Sequence, residues 1–193
     1  INKGNIEIRS LYEKRLLNYK DSFARIYDIV SQLDAIEPER VIFKSVNVIA
    51  GVMETRDVAI YTCDKNSQFC RLMAASSVNA KKMKKSIKIS DYQDIYAKLV
   101  KQEIYVNSTL DPNYPAMVGA TYKDGALQTV IMILSLPFEN NSLYEINIFG
   151  VLCKLVDKTM DRAYMYLENV NKSYNRKFDG IMTAEAFEKL LQL

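Results

Sequence analysis

LQTVIMILSLPF, residues 127–138, is the stretch that settles the architecture. Its centre, VIMIL at 130–134, carries no polar residue on either side of the pleat, so a strand here is apolar on both faces. It follows AMVGATY at 116–122 across KDG, whose Gly125 suits a turn needing positive φ, and this predicts an antiparallel hairpin. A strand that is apolar on both faces requires cover on both faces.

A second hairpin lies earlier, where DVAIYT (57–62) and FCRLMAAS (69–76) flank a polar turn from Asp64 to Ser67. If Cys63 opposes Cys70, Tyr61 opposes Leu72 on one face and Ile60 pairs with Met73 on the other. Both of its faces are again apolar. SIKI (86–89) and IYVN (104–107) read as further short strands, giving an antiparallel sheet of five to six.

Helices supply the cover. Pro38 opens one through Val41, Ile42, Val46, Ile49 and Met53, since proline is tolerated where the first-turn N–H has no partner anyway. Ser90 with Gln93 has capping-box spacing for a helix from Asp91 to about Gln102. Long stripes run at both ends of the chain, Tyr12 to Leu33 and Phe149 to Tyr174, in steps of three and four. The expected class is therefore α+β, with end helices and the Pro38 helix on one sheet face and the segment 81–120 on the other. The boundaries expected are an N-terminal, coiled-coil-like helix at 1–35, a domain including the exit helix at 36–172, and a linker segment at 173–193.

Composition excludes more than it selects. At 193 residues, 49% hydrophobic and 25% charged, the chain belongs to the ordinary globular class. A net charge of +3, with one basic cluster KKMKK (81–85) and no aromatics within it, predicts no nucleic-acid partner. No run reaches the roughly 20 apolar residues of a membrane span. The start at Ile1 reads as an excised piece, with any anchor of the parent outside it. Three cysteines without CxxC spacing predict a reducing, cytoplasmic setting. The absence of histidine removes Ser-His-Asp and Cys-His catalysis, histidine-ligated haem and most zinc sites, so no metal or haem is expected and no cofactor is specified. The six scattered glycines spell neither GxGxxG nor a P-loop.

GALQTVIMILSLPFENNSLYEINIFGVLCKLVDKTMDRA (125–163) has a strand ending near Pro-Phe, then a polar turn and a long helix. IYVNSTLDP (104–112) has a strand leading into an Asp-containing turn. With these the chain resembles a GAF domain, the sensory relative of PAS, over roughly residues 20–170. DGIMTAEAFEKLLQL (179–193) is similar to the opening of a GGDEF-type domain, although the Asn-Arg of that motif is missing and the spacing to Phe187 is short. Together these resemble the GAF plus degenerate GGDEF arrangement of Pel-type exopolysaccharide regulators that respond to cyclic di-GMP.

The GAF resemblance implies a small-molecule pocket between the sheet and the variable segment. The lining residues it implies are Thr62, Arg71, Met73, Ser76, Tyr92, Tyr96, Tyr114, Tyr122 and Met132. For Arg71 the plainer reading is the wet end of its hairpin, and for the tyrosines and methionines plain core packing. Cyclic GMP recognition of the NKxnFxxxDE kind is disfavoured, because no Asp-Glu dipeptide occurs.

Two classes of function follow. One is a non-catalytic regulatory module acting through a homodimeric helical bundle, with an unknown small molecule and a downstream GGDEF-like or effector domain as partners. Its interface would use Leu16, Tyr19, Phe23, Ile26 and Val30 with Val156, Met160, Ala163 and Leu167, unless each stripe packs only on its own sheet. The other is a free methionine sulfoxide reductase of the same fold, using Cys63 and Cys70 as redox pair. Against it stands the plainer reading of the cysteines as small buried hydrophobes, and a cross-strand disulfide, though geometrically conceivable, is strained at most such sites. A ligand-free scaffold, its pocket filled by its own side chains, is the third reading.

Overall fold

The structure is a computed structural model, describing residues 28–64, 69–136 and 143–176. The chain divides after Asp34 into two units. Of the first, residues 28–33 are helical, and Leu16, Tyr19, Phe23 and Ile26 lie outside the described residues. The second holds the sheet.

α1 (Pro38–Val52) begins with proline in its first turn, as expected, and buries Val41, Ile42, Val46 and Ile49. Each such side chain contributes about 1.5–3 kcal/mol on leaving water. Ser45 is buried on the same helix and is satisfied by donating to the Val41 carbonyl at 2.6 Å.

β1 (Val58–Cys63) and β2 (Phe69–Ala75) form the first hairpin. Then come α2 (Val78–Lys81), β3 (Ser86–Lys88), a 3₁₀ turn at Ile89–Asp91, α3 (Gln93–Val100) and β4 (Tyr105–Val106). β5 (Met117–Lys123) and β6 (Ala126–Ile133) make the second hairpin, and α4 (Leu143–Arg176) closes the described chain. The antiparallel sheet has six strands in the order β3-β2-β1-β6-β5-β4. The KDG turn is a two-residue loop with positive φ at Asp124 (52°) and Gly125 (80°), the conformation that matches strand twist.

Three local expectations are corrected. Tyr61 does oppose Leu72, and Cys63 opposes Cys70, but Ile60 opposes Ala74 rather than Met73. Met73 is the extra residue of a β-bulge. The Ser90–Gln93 capping box does not form: Ser90 sits inside the 3₁₀ turn, and α3 starts at Gln93 with no side-chain cap. Burial of Ile89 at that turn outweighs the cap. Within α4, Val156, Met160 and Ala163 are buried in the chain's own core, so they are not an exposed dimer surface, whereas Val30 and Leu167 are exposed.

α4 is 34 residues long, about 50 Å at 1.5 Å per residue, while the longest strand spans about 26 Å. Its first half packs on β5 and α1. Beyond Ala163 it turns exposed at Met165, Tyr166 and Leu167. Among the described residues no helix is long and apolar enough to cross a membrane.

Candidate functional site

The two faces of the sheet are told apart by Gly119, whose Cβ direction points at Cys153 and Phe149 of α4. Ile131 opposes Gly119 and Ile60 opposes Ile131, so these lie on the side of α1 and α4. Tyr61, Val130, Met132 and Val118 occupy the other side, under Ile87, Ile89, Ile95 and Leu99 of the covering segment.

That second face is closed by the chain's own tyrosines. Tyr61 is fully buried and donates its hydroxyl to the Lys84 carbonyl at 3.0 Å. Tyr122 donates to the Leu99 carbonyl at 2.6 Å, at the end of α3. Tyr92, Tyr96 and Tyr105 pack half-buried against the same core, and Tyr92 meets Tyr114 edge to face, ring centres 6.4 Å apart. Both bonded phenols sit where a charge would be desolvated, and burial, ahead of neighbouring Tyr92 for the one and Cys153 and Asp157 for the other, pushes Tyr61 and Tyr122 up to about 12.

The sign of the linkage is definite. A phenol raised in the folded state keeps its stabilisation below its unfolded value near 10 and loses it as pH rises toward about 12. The urea midpoint is therefore expected to be flat up to about pH 10 and to fall above it, and Tyr61→Phe is expected to reduce that fall. An equally steep fall in Tyr61→Phe would assign the alkaline loss to other groups.

At the β4 edge this face opens into a cleft of about 470 Å³ between α3, β4 and the turn that follows. Asp94, Lys98, Tyr105, Thr109, Asp111 and Tyr114 line it. The turn is built on Asn107, 5% exposed, whose amide donates to the carbonyls of Asp111 (2.8 Å) and Tyr114 (3.3 Å). Its oxygen accepts from Thr109 Oγ1 and the Asp111 N–H, so the group is fully used in holding the cleft's shape. Tyr105 is raised by burial first and then by Asp94, Tyr114 and Asp111.

The nine residues expected to share one pocket are divided. Tyr92, Tyr96, Tyr122 and Met132 lie on the closed face and Tyr114 at its open cleft. Thr62 pairs with Thr129, whose hydroxyl shares a 2.8 Å bond with Thr121 on the α4 side, so Thr62 belongs to the opposite face. Arg71 pairs with Thr62 and is exposed, while Met73 lines a groove beside Phe43 of α1. Ser76 is spent on the backbone, accepting from the Val58 N–H at 2.8 Å and donating to the Arg56 carbonyl. Tyr61, expected only as the partner of Leu72 in the hairpin, joins the site together with Asn107 and Asp157, which no motif marks; an Asn at a strand end four residues before an Asp is the one local signal.

Cys63 and Cys70 are a directly opposed pair, Cα atoms 4.0 Å apart, joined as a disulfide. The reading of them as separate small hydrophobes under reducing conditions did not favour this bond. The next rung, Asp64 N–H to Phe69 carbonyl, is hydrogen-bonded, which makes 63–70 a rung without ladder bonds, where side chains come closest. Cys153 is fully buried on the other face, and burial followed by the Asp157 charge pushes its thiol far above the usual range. Among the described residues no group of acids and cysteines is arranged to hold a metal.

No family model matches the chain, and no curated protein matches it. Solved structures share its fold. The GAF domain of an Acinetobacter phosphoenolpyruvate-protein phosphotransferase superposes with a TM-score of 0.56 at 16% identity, over 75% of this chain and 95% of that one. Free methionine-R-sulfoxide reductase from Neisseria meningitidis gives 0.50 at 16% identity, over 71% and 86%. PelD from Pseudomonas aeruginosa gives 0.54 at 10% identity, over 71% of this chain but 48% of that chain. The chain has a GAF-like fold.

Proposed function

We propose that this chain is a non-catalytic sensory or regulatory module of GAF-like fold, in which the tyrosine-closed face is the responsive side and α4 the output. The observation that carries this reading is the double attachment of Tyr122. Its hydroxyl holds α3 through the Leu99 carbonyl, and its backbone N–H donates to Asp157 Oδ1 of α4 at 2.8 Å. One residue at a β-bulge thus ties the cover of the ligand-side face to the exit helix. A small molecule or partner that lifts α3 off Tyr122 alters what holds α4.

The output is a homodimeric bundle formed by the exposed end of α4, where Met165, Tyr166 and Leu167 would pack against a second copy. The narrower role, in cyclic-di-GMP-linked exopolysaccharide regulation with a downstream GGDEF-like domain, stays tied to the resemblance of residues 179–193, which lie outside the described residues. A cytoplasmic setting belongs to the same proposal. The reductase reading draws on the paired cysteines. It needs an activated thiolate, yet Arg71 and Cys70 project to opposite faces of β2 and Cys153 is sealed in the core.

Native mass spectrometry of the full chain tests the proposal. A dimer is expected, largely converted to monomer by Met165→Glu with Leu167→Glu while circular dichroism is unchanged. A wild-type monomer at all concentrations would sink the bundle. Turnover of free methionine sulfoxide that vanishes in Cys63→Ser and Cys70→Ser would install the reductase in its place.

A further inference from the structure

A second recess lies away from the tyrosine-closed face, between α1 and the outer strands β2 and β3. Its volume is about 690 Å³. Phe43 and Asn47 form one wall, Met73 the bulged floor, and Arg71, Lys81 and Lys85 the other wall. Among the described residues that line it are three cations and no carboxylate. Among the described residues none of the three cations takes part in an ion pair. Phe43 is 55% exposed, a large aromatic surface on the solvent side of α1.

The sheet itself is unfinished at this place. Among the described residues β3 pairs only with Phe69, Cys70 and Arg71, and the Leu72 N–H is taken by the Lys85 carbonyl. From Met73 to Ala75, β2 has β1 on one side and, among the described residues, no strand on the other. An uncovered edge beside a groove is a template for one more extended chain. The charge around it selects which chain.

We propose that this groove docks an extended acidic segment of a partner protein, laid along β2 from Met73 to Ala75. Its carboxylates meet Arg71, Lys81 and Lys85, and an apolar side chain between them seats against Phe43 and Met73. The three cations come from three separate elements, β2, the end of α2 and the loop before β3. A chain with alternating acidic and apolar residues offers a partner both to the cations and to the apolar floor, which a bare anion does not. Such a contact is steered by charge and weakens with salt.

The probe is a fluorescein-labelled peptide of alternating glutamate and leucine, titrated by anisotropy against the full chain at low salt. Saturable binding is expected. It should weaken about tenfold or more in Lys81→Glu with Lys85→Glu, weaken also in Phe43→Ala, and stay within about twofold in Lys154→Glu, an exposed lysine of α4. All of these positions are exposed, and circular dichroism confirms folding. Amide shifts at residues 73–75 on peptide addition would place the peptide on the edge. Absence of saturable binding overturns the proposal, as does equal loss in Lys154→Glu, which would mean diffuse attraction. Full displacement by inorganic triphosphate at equal charge also overturns it, because the groove would then be an anion site indifferent to an extended chain.

Discussion

Gly119→Val is expected to prevent stable folding, and Gly119→Ala to lower the melting temperature measurably. A Cβ at this position would stand 2.5 Å from Cys153 Sγ, 3.0 Å from Ile104 Cδ1 and 3.2 Å from Phe149 Cε1. Glycine weakens the interior of a strand, so its presence in β5 needs a reason, and the reason is the close approach of α4. The sulfur of Cys153 is near the helix backbone and has little room to swing aside. Overpacking by one carbon costs about 1–3 kcal/mol, and each kcal/mol moves the melting point of a domain this size by about 2–4 °C. Alanine gains a few tenths back by restricting the unfolded chain, which leaves a net loss. The double variant Gly119→Ala with Cys153→Ala should be more stable than the sum of the singles by about 1 kcal/mol, because the sulfur is the principal clash. Urea titrations of the four proteins decide it. A neutral Gly119→Ala, or strict additivity, would mean that α4 does not seat on β5 as closely as described.

The hairpins were legible because their signals are local. Apolar runs on either side of KDG, and a register with Cys63 across from Cys70, needed only a few residues each. The bulge at Met73 was not, and the cause is physical: where both faces of a strand are apolar, inserting one residue changes no hydrophobic pattern. Thr62 and Arg71 were placed on the wrong face for a related reason, since nothing polar marked which side was which. The stripe through Val156, Met160 and Ala163 was read correctly as apolar, but a stripe does not state whether its partner is the same chain or another. The tyrosine closure was invisible in a stronger sense. Tyr61 and Tyr122 each donate to a backbone carbonyl 23 residues away, and a carbonyl belongs to every residue alike.

Breaking either attachment of Tyr122 is expected to loosen the other. Tyr122→Phe keeps the ring in the core and removes the 2.6 Å bond to the Leu99 carbonyl, at a cost of about 1 kcal/mol. Asp157→Ala leaves the Tyr122 N–H without its acceptor at a bulge, where the strand ladder offers no replacement, and costs about 1–3 kcal/mol. If the two bonds act independently, these losses add and each stays on its own side of the sheet. If Tyr122 links the sides, the double variant departs from additivity by about 0.5 kcal/mol or more, and Asp157→Ala speeds hydrogen exchange in α3, which Asp157 does not hydrogen-bond. Exchange confined to α4 and β5 in Asp157→Ala would dispose of the link, and with it the route by which the closed face could govern the exit helix. A bulge is a suitable place for such a link because the ladder is already interrupted there, so the rung can shift without breaking its neighbours.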